Sequence, residues 1–289
     1  MKNKLFIRIL NKTGLLKFLC FNTRVVINDK EIIIPILSST GFGHLNMTEM
    51  WMIDLLKKLF NKFPDIQGFM DIGSNIGQTL IKLKSVNAKI PYIGFDPNPQ
   101  CVAYVQRLIH VNRWSNTHVV ALGISDHNHL AKLQMYTPSI TDKAASIIQE
   151  FRRQTIYEEF FVPVFDFETI YQSFDKFFPG IVKIDVEGAE WYVLKSFNPY
   201  LEKHKPLILI EILPVYNEHN KSRLEIQNKI ESLLKQSGYE IYRIEKKRVK
   251  FMGLVPLDRI GIHDRLDWTD YLLIHSSQRD FIKDLISRD

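Results

Sequence analysis

The chain has 289 residues, 45% hydrophobic and 24% charged, an ordinary balance for a soluble globular protein with a full core. Its net charge of +6 favours anionic partners or surfaces without naming one. Two cysteines, Cys20 and Cys101, are too few for a disulfide scaffold and fit a reduced, cytoplasmic setting; no run of about 18 apolar residues suggests a spanning helix.

Residues 1–21 mix Leu5, Phe6, Ile9, Leu10, Leu16 and Leu19 with Lys2, Lys4, Arg8, Lys12 and Lys17. The basic residues break any signal-peptide core, and the pattern predicts an amphipathic helix interrupted near Gly14. Two placements fit it: against the protein's own core, or as a peripheral contact on the anionic inner face of a membrane. Residues 24–36 alternate about Asp29-Lys30 as a hairpin. Asn46-Met47-Thr48-Glu49 reads as a capping box that opens a helix burying Met52, Leu55, Leu56, Leu59 and Phe63, with Glu49 also within reach of a pocket.

Residues 68–79 then read as a buried strand ending in Asp71, a turn containing Gly73 and Gly77, and a helix start. Such a turn lets a ligand approach the backbone in front of a helix N-terminus. Asn75 stands where a dinucleotide fingerprint needs its second glycine, and the Asp71 carboxylate would repel a diphosphate. Both argue against a nicotinamide oxidoreductase. They suit a donor with an amino group and a sulfonium, as S-adenosylmethionine has. The next strand ends at Asp96, 23 positions after Gly73, close to the ~20 expected of an acid that binds ribose hydroxyls. Pro97-Asn98-Pro99 is a turn before a helix.

A third strand, 117–122, leads to Ser125 and Asp126, where an acid either accepts from an adenine amino group or ends a turn. Strands at 130–136 and 161–165 flank a polar insert at 139–157, whose charged part, 149–159, reads as a solvated face. The strand at 181–184 delivers Asp185 and Glu187 to its carboxyl end, where ligands bind in open α/β sheets. A fifth strand, 206–212, carries Glu211 beside an apolar run, and a charge there needs a partner or a function. Two last strands near 241–244 and 270–274 close the order.

Asp71-Ile72-Gly73-Ser74-Asn75-Ile76-Gly77, Phe95-Asp96-Pro97-Asn98-Pro99, Ala121-Leu122-Gly123 with Ser125-Asp126, and Lys183-Ile184-Asp185-Val186-Glu187-Gly188-Ala189-Glu190 resemble the FkbM family of methyltransferases, in the family's order. The resemblance runs from about residue 49 to 274. It implies a Rossmann-like class I α/β fold: a mostly parallel seven-stranded sheet with an antiparallel last strand at 61–289, preceded by a helical and hairpin extension at 1–60. It implies S-adenosylmethionine as methyl donor and a hydroxyl acceptor, on a sugar of a cell-surface glycan or on a natural product. By motif, Asp71, Gly73, Asn75 and Gly77 would cradle the donor's methionine part, Asp96 with Pro97 and Asn98 its ribose, and Ser125 and Asp126 its adenine. Asp185, Glu187 and Glu211 would face the acceptor.

A hydroxyl acceptor benefits from a general base, for which Asp185 is the candidate and His219 a second. Three carboxylates could also bind Mg²⁺, but no ligand spacing demands it and no metal is assigned. A nucleic-acid methyltransferase and a donor-binding protein without turnover stay as alternatives. The acids near one pocket oppose a phosphate backbone, so no nucleic-acid partner is expected.

Overall fold

In the computed structural model, which describes residues 2–149, 151–152, 154–174 and 179–287, the chain opens with α1 (Lys2–Lys12) and the hairpin of β1 (Cys20–Ile27) and β2 (Lys30–Leu37). The expectations that fall on residue 1 of the basic segment and on residues 150 and 153 of the insert lie outside the described residues. The hairpin turns on Asn28 and Asp29, with φ of 50° and 60°, one residue earlier than the sequence suggests. Two successive left-handed residues make a turn whose twist matches the flanking strands.

Helix α2 (Trp51–Lys62) buries Met52, Leu55, Leu56 and Leu59, as its period requires. Its expected capping box does not form. Met50 is the N-cap without a side-chain hydrogen bond, and Glu49, at φ 53°, instead accepts from Lys82 Nζ at 2.7 Å. Lys82 is fully buried, and an ammonium out of water needs a carboxylate more than a helix needs a cap.

From here strands and helices alternate: β3 (Phe69–Ile72), α3 (Gln78–Val86), β4 (Tyr92–Asp96), α4 (Pro99–Asn112) and β5 (Thr117–Ala121). Next come β6 (Gly123–Ile124), β7 (His129–Met135) and β8 (Glu158–Phe165), which pair with one another as a separate three-stranded sheet. The chain then rejoins the main sheet through α5 (Phe167–Ser173), β9 (Ile181–Ile184), α6 (Glu190–His204), β10 (Leu207–Glu211), α7 (Lys221–Gln236), β11 (Tyr239–Lys247), β12 (Lys250–Leu257) and β13 (Asp270–His275).

The main sheet has the order β12-β11-β13-β10-β9-β3-β4-β5. The five strands from β10 to β5 are parallel, and β13 lies antiparallel between β10 and β11. The sheet therefore has eight strands, one more than the seven expected. The extra one, β12, is an edge strand, where Pro256 costs no ladder bond and hides the strand from a sequence reading. Residues of the 1–60 extension share a single hydrophobic cluster with the methyltransferase core: Ile34 and Trp51 pack in the same cluster as Leu80 and Val105. The extension is thus a layer on one core. Strand order reverses between β3 and β9, which opens a crevice at their carboxyl ends.

Candidate active site

The loops leaving β3 and β9 meet at that crevice. Asp185 donates its backbone N–H to the Ile72 carbonyl at 2.9 Å, and Gly73 lies directly against the Asp185 carbonyl. A Cβ at Gly73 would stand 1.7 Å from that oxygen, and its φ of 86° is itself a glycine conformation. Around this contact lies a cavity of about 230 Å³. Of the residues expected at the site, Gly73, Asn75, Asp96, Pro97, Asn98, Asp185, Glu187 and Glu211 all line it.

Asp71 does not line it. Its side chain is wholly buried beneath the crevice, accepting from the Tyr92 hydroxyl at 2.9 Å. Sheet register explains the placement, since Asp71 sits beside Gly94 on one flank and Lys183 on the other. Gly94 leaves room for the Tyr92 ring to fold back, as a Cβ there would be 2.7 Å from the Tyr92 oxygen. On the other flank Lys183 Nζ stands 4.0 Å from Asp71 Oδ1, a charge contact too long for a hydrogen bond, and 2.9 Å from Asp185 Oδ2. Burial pushes the Asp71 carboxyl up to about 6, against the pull of Lys183. Burial alone would lower the Lys183 pKa, but Asp185 and Asp71 together raise it. Asp71 therefore reaches the cavity only through Lys183, a residue that sequence reasoning passed over. The signal was present: a lysine inside the apolar run Ile181–Ile184 is the same anomaly as Glu211 at the end of β10.

Asp96 lines the cavity with both oxygens engaged by main chain, Oδ2 by the Asn75 N–H at 2.7 Å and Oδ1 by the Asn98 N–H at 2.9 Å. Each oxygen keeps a second lone pair for a ribose hydroxyl. Burial pushes this carboxyl up to about 7, the two main-chain bonds notwithstanding. Asn98 caps α4, with Pro99 in the first turn, by accepting from the Gln100 N–H. Gly77 is set back from the cavity as the left-handed N-cap of α3, where a Cβ would press on Leu108 at 3.1 Å.

Ser125 and Asp126 are also set apart. They follow β6, whose Gly123 and Ile124 with Leu122 form the cavity wall there, and neither lines the cavity itself. Partial burial would raise the Asp126 pKa, but hydrogen bonds from Lys195 and His127 hold it down to about 2. Asp126 is thus already paired with Lys195 and His127. His219 is exposed and does not line the cavity.

On the acceptor side, Glu187 stands at φ 50°, its carboxylate paired with Arg152 at 2.5 Å and its carbonyl accepting from the Ser146 hydroxyl at 2.7 Å. The charged stretch of the insert is thus no solvated face at residues 151–152: Arg152 holds Glu187, and Phe151 covers Gly188, where a Cβ would meet its ring at 2.5 Å. Glu190 accepts from the Gly188 N–H at 2.9 Å at the start of α6. Glu211 faces Asp270 across the antiparallel β10–β13 pair. Burial, then the charges of Asp185 and Asp270, push its carboxyl up to about 9, so at neutral pH it carries its proton.

The ionisable residues lining the cavity are Glu49, Asp96, Asp142, Asp185, Glu187 and Glu211 against Lys143 and Lys183. An acid-rich wall over a glycine that lets backbone approach fits a donor bearing an ammonium and a sulfonium. The same wall opposes a diphosphate.

The sequence model of the methyltransferase FkbM domain matches residues 71–241. No curated protein matches the sequence. Among solved structures, an FkbM methyltransferase from Methylobacillus flagellatus is 18% identical with a TM-score of 0.43, over 73% of this chain and 44% of that one. An O-methyltransferase from Bacillus cereus in complex with SAH is 10% identical with a TM-score of 0.40, over 77% of this chain and 79% of that one. A tRNA (uracil-54, C5)-methyltransferase from Pyrococcus abyssi is 11% identical with a TM-score of 0.36, over 88% of this chain and 43% of that one. The domain match covers more than half of the chain and contains the loops that meet at Gly73 and Asp185, so the chain belongs to the FkbM family of S-adenosylmethionine-dependent methyltransferases.

Proposed function

We propose that the enzyme methylates a hydroxyl oxygen of a sugar, in a cell-surface glycan precursor or a sugar-bearing natural product. The observation that carries this reading is the pairing of Lys183 with Asp185 at the cavity wall. Among the described residues only Oδ2 of that carboxylate is hydrogen-bonded, which leaves Oδ1 to take a proton from an acceptor hydroxyl.

The donor supplies an activated methyl group, so the protein's work is to align an oxygen with it and to receive one proton. Gly73, Asn75 and Asp96 with Asn98 would hold the donor. Lys183 keeps the Asp185 carboxylate in one orientation from below. Glu211, protonated at neutral pH, donates a hydrogen bond that fixes the acceptor. Glu187 is held by Arg152 and bounds the cavity on the side of the insert.

A second cavity of about 400 Å³ is lined by Gly188 and Glu190 of the 186–190 segment together with Phe151, Arg223 and Gln227, among others. Gln227 is buried and its Oε1 has no hydrogen-bond partner. Buried polar groups of this kind, one of them without a partner, suit a hydroxylated acceptor. The carboxylates of the first cavity also speak against a nucleic-acid backbone. Both cysteines are free thiols, which supports a cytoplasmic setting.

The test is to incubate the protein and its Asp185→Asn variant with labelled S-adenosylmethionine and parallel extracts of glycans, lipid-linked sugars and nucleic acid. Label appearing on a sugar hydroxyl with the wild type only is expected. Label on RNA or DNA alone would overturn the reading.

A further inference from the structure

The first helix uses only part of its apolar surface. Ile7 and, after the left-handed Gly14, Leu16 are buried in the core, with Leu10 packed beside them. Leu5, Phe6, Ile9, Leu15 and Phe18 point the other way, each more than half exposed. Leu5, Phe6 and Ile9 share one helical face by their spacing of one and four. Solvent-exposed Arg8, Lys12 and Lys17 border these side chains in sequence, and residues 1–21 contain no acid. Single exposed apolar residues are unremarkable in a soluble protein, but five large ones within 14 positions form a patch that calls for a cover.

The segment is also tied to the donor site. Lys4 Nζ donates to the Leu45 carbonyl at 3.2 Å and Arg8 donates to Asn46 Oδ1 at 2.6 Å, both in the turn Phe42–Asn46. In that turn the buried His44 bonds through Nε2 to the Ile76 carbonyl of the Gly73–Gly77 loop at 2.9 Å. Burial lowers the His44 pKa to about 4, so the ring is neutral and donates from Nε2 at any ordinary pH. Thr48 and Glu49, next in the chain, line the donor cavity. Whatever holds the outward face of α1 therefore holds the rim of the active site.

We infer that the outward face of α1 and the Leu15–Phe18 turn lie in the interface of an anionic lipid bilayer and bring the donor cavity to that surface. Among the described residues no helix is long and apolar enough to cross a membrane, so the contact is peripheral. The chemistry of the face is that of an interfacial helix: Phe and Leu enter the acyl boundary, and Arg8, Lys12 and Lys17 meet anionic headgroups. A protein partner covering a face with three cations and no acid would itself have to be acidic and apolar at once. An anionic leaflet offers both properties over any area. The inference does not depend on the acceptor being a sugar.

The full chain should be sedimented with phosphatidylcholine vesicles, and with vesicles of phosphatidylcholine mixed with phosphatidylglycerol. Binding to the mixed vesicles only, weakened by added salt, is expected. Phe6→Glu with Ile9→Glu should reduce that binding by roughly tenfold or more, since each removes a large apolar side chain from the interface. Lys12→Glu with Lys17→Glu should reduce it while leaving S-adenosylhomocysteine affinity unchanged, which also checks that each variant is folded. Full-length protein left in the supernatant with both vesicle types overturns the inference, as does undiminished binding by the Phe6/Ile9 variant. A dimer in solution that the Phe6/Ile9 variant converts to monomer assigns the face to a second copy of the chain and overturns it equally.

Discussion

Lys183 bridges two carboxylates of opposite circumstance: Asp185 at 2.9 Å, on the cavity wall, and Asp71 at 4.0 Å, wholly buried beneath it. The lysine thus couples the stability of the sheet to the orientation of the acid we assign as base. Replacing Lys183 by Met strands Asp71 without a cation, which should cost about 3 kcal/mol. Because Asp71 is already pushed up to about 6, it can take a proton instead, and this limits the loss. Urea unfolding should show Lys183→Met with Asp71→Asn to be more stable than Lys183→Met alone. A double variant no better than the single would mean that the two charges are not coupled.

Asp185→Asn keeps the shape of the side chain and removes its ability to take a proton. Turnover should fall by roughly 10²–10⁴, while affinity for S-adenosylhomocysteine by calorimetry changes little. Turnover unchanged would return the base to another residue.

Asp96→Ala removes a carboxyl that accepts from the Asn75 and Asn98 main-chain N–H groups and is expected to accept from ribose. Donor affinity should drop by about 1.5–3 kcal/mol for each charged hydrogen bond lost. If S-adenosylhomocysteine binds the variant as before, Asp96 only holds the turn between the two loops.

Raised carboxyl pKa values set the pH dependence of stability. Asp71, Asp96 and Glu211 lie near 6, 7 and 9 in the folded protein, all above the ordinary values of 3.8 and 4.5. The folded state therefore holds protons that the unfolded chain has released. Its stability is full below those ordinary values and declines as pH rises through the folded ones. The melting temperature of ligand-free protein should fall between about pH 5 and 9, with Glu211→Gln flattening the upper part of the fall. S-Adenosylmethionine, with its sulfonium, should stabilise more at pH 9 than at pH 6, and S-adenosylhomocysteine should show less of this difference. A melting temperature that holds level from pH 7 to 9 would sink the assignment for Glu211.

The features legible beforehand were those written locally. Four motifs, each a short apolar strand running into a turn that carries an acid, gave four of the five parallel strands and the loops at their carboxyl ends. The amphipathic period of α2 and the break at Gly14 were equally local. What went unread depended on neighbours distant in the chain. Asn46–Glu49 has the spacing of a capping box, but Lys82 needs Glu49 more. The stretch at Phe151 and Arg152 is charged like a solvent face, yet Glu187 and Gly188 draw it onto the site.

The sequence by itself determined which residues could serve as acids, turns and core, because strand runs, glycine turns and helical period are set within a few residues of chain. Only the tertiary structure decided which acids share the cavity. Asp126 has the same local setting as a strand-end acid, but it lies two residues past β6 and is paired with Lys195, outside the cavity lining. Asp71 is assigned a place below the crevice by its register beside Lys183 and Gly94. Charge, burial and distance between segments far apart in sequence exist only once the sheet has formed, and they separate a site residue from a structural one.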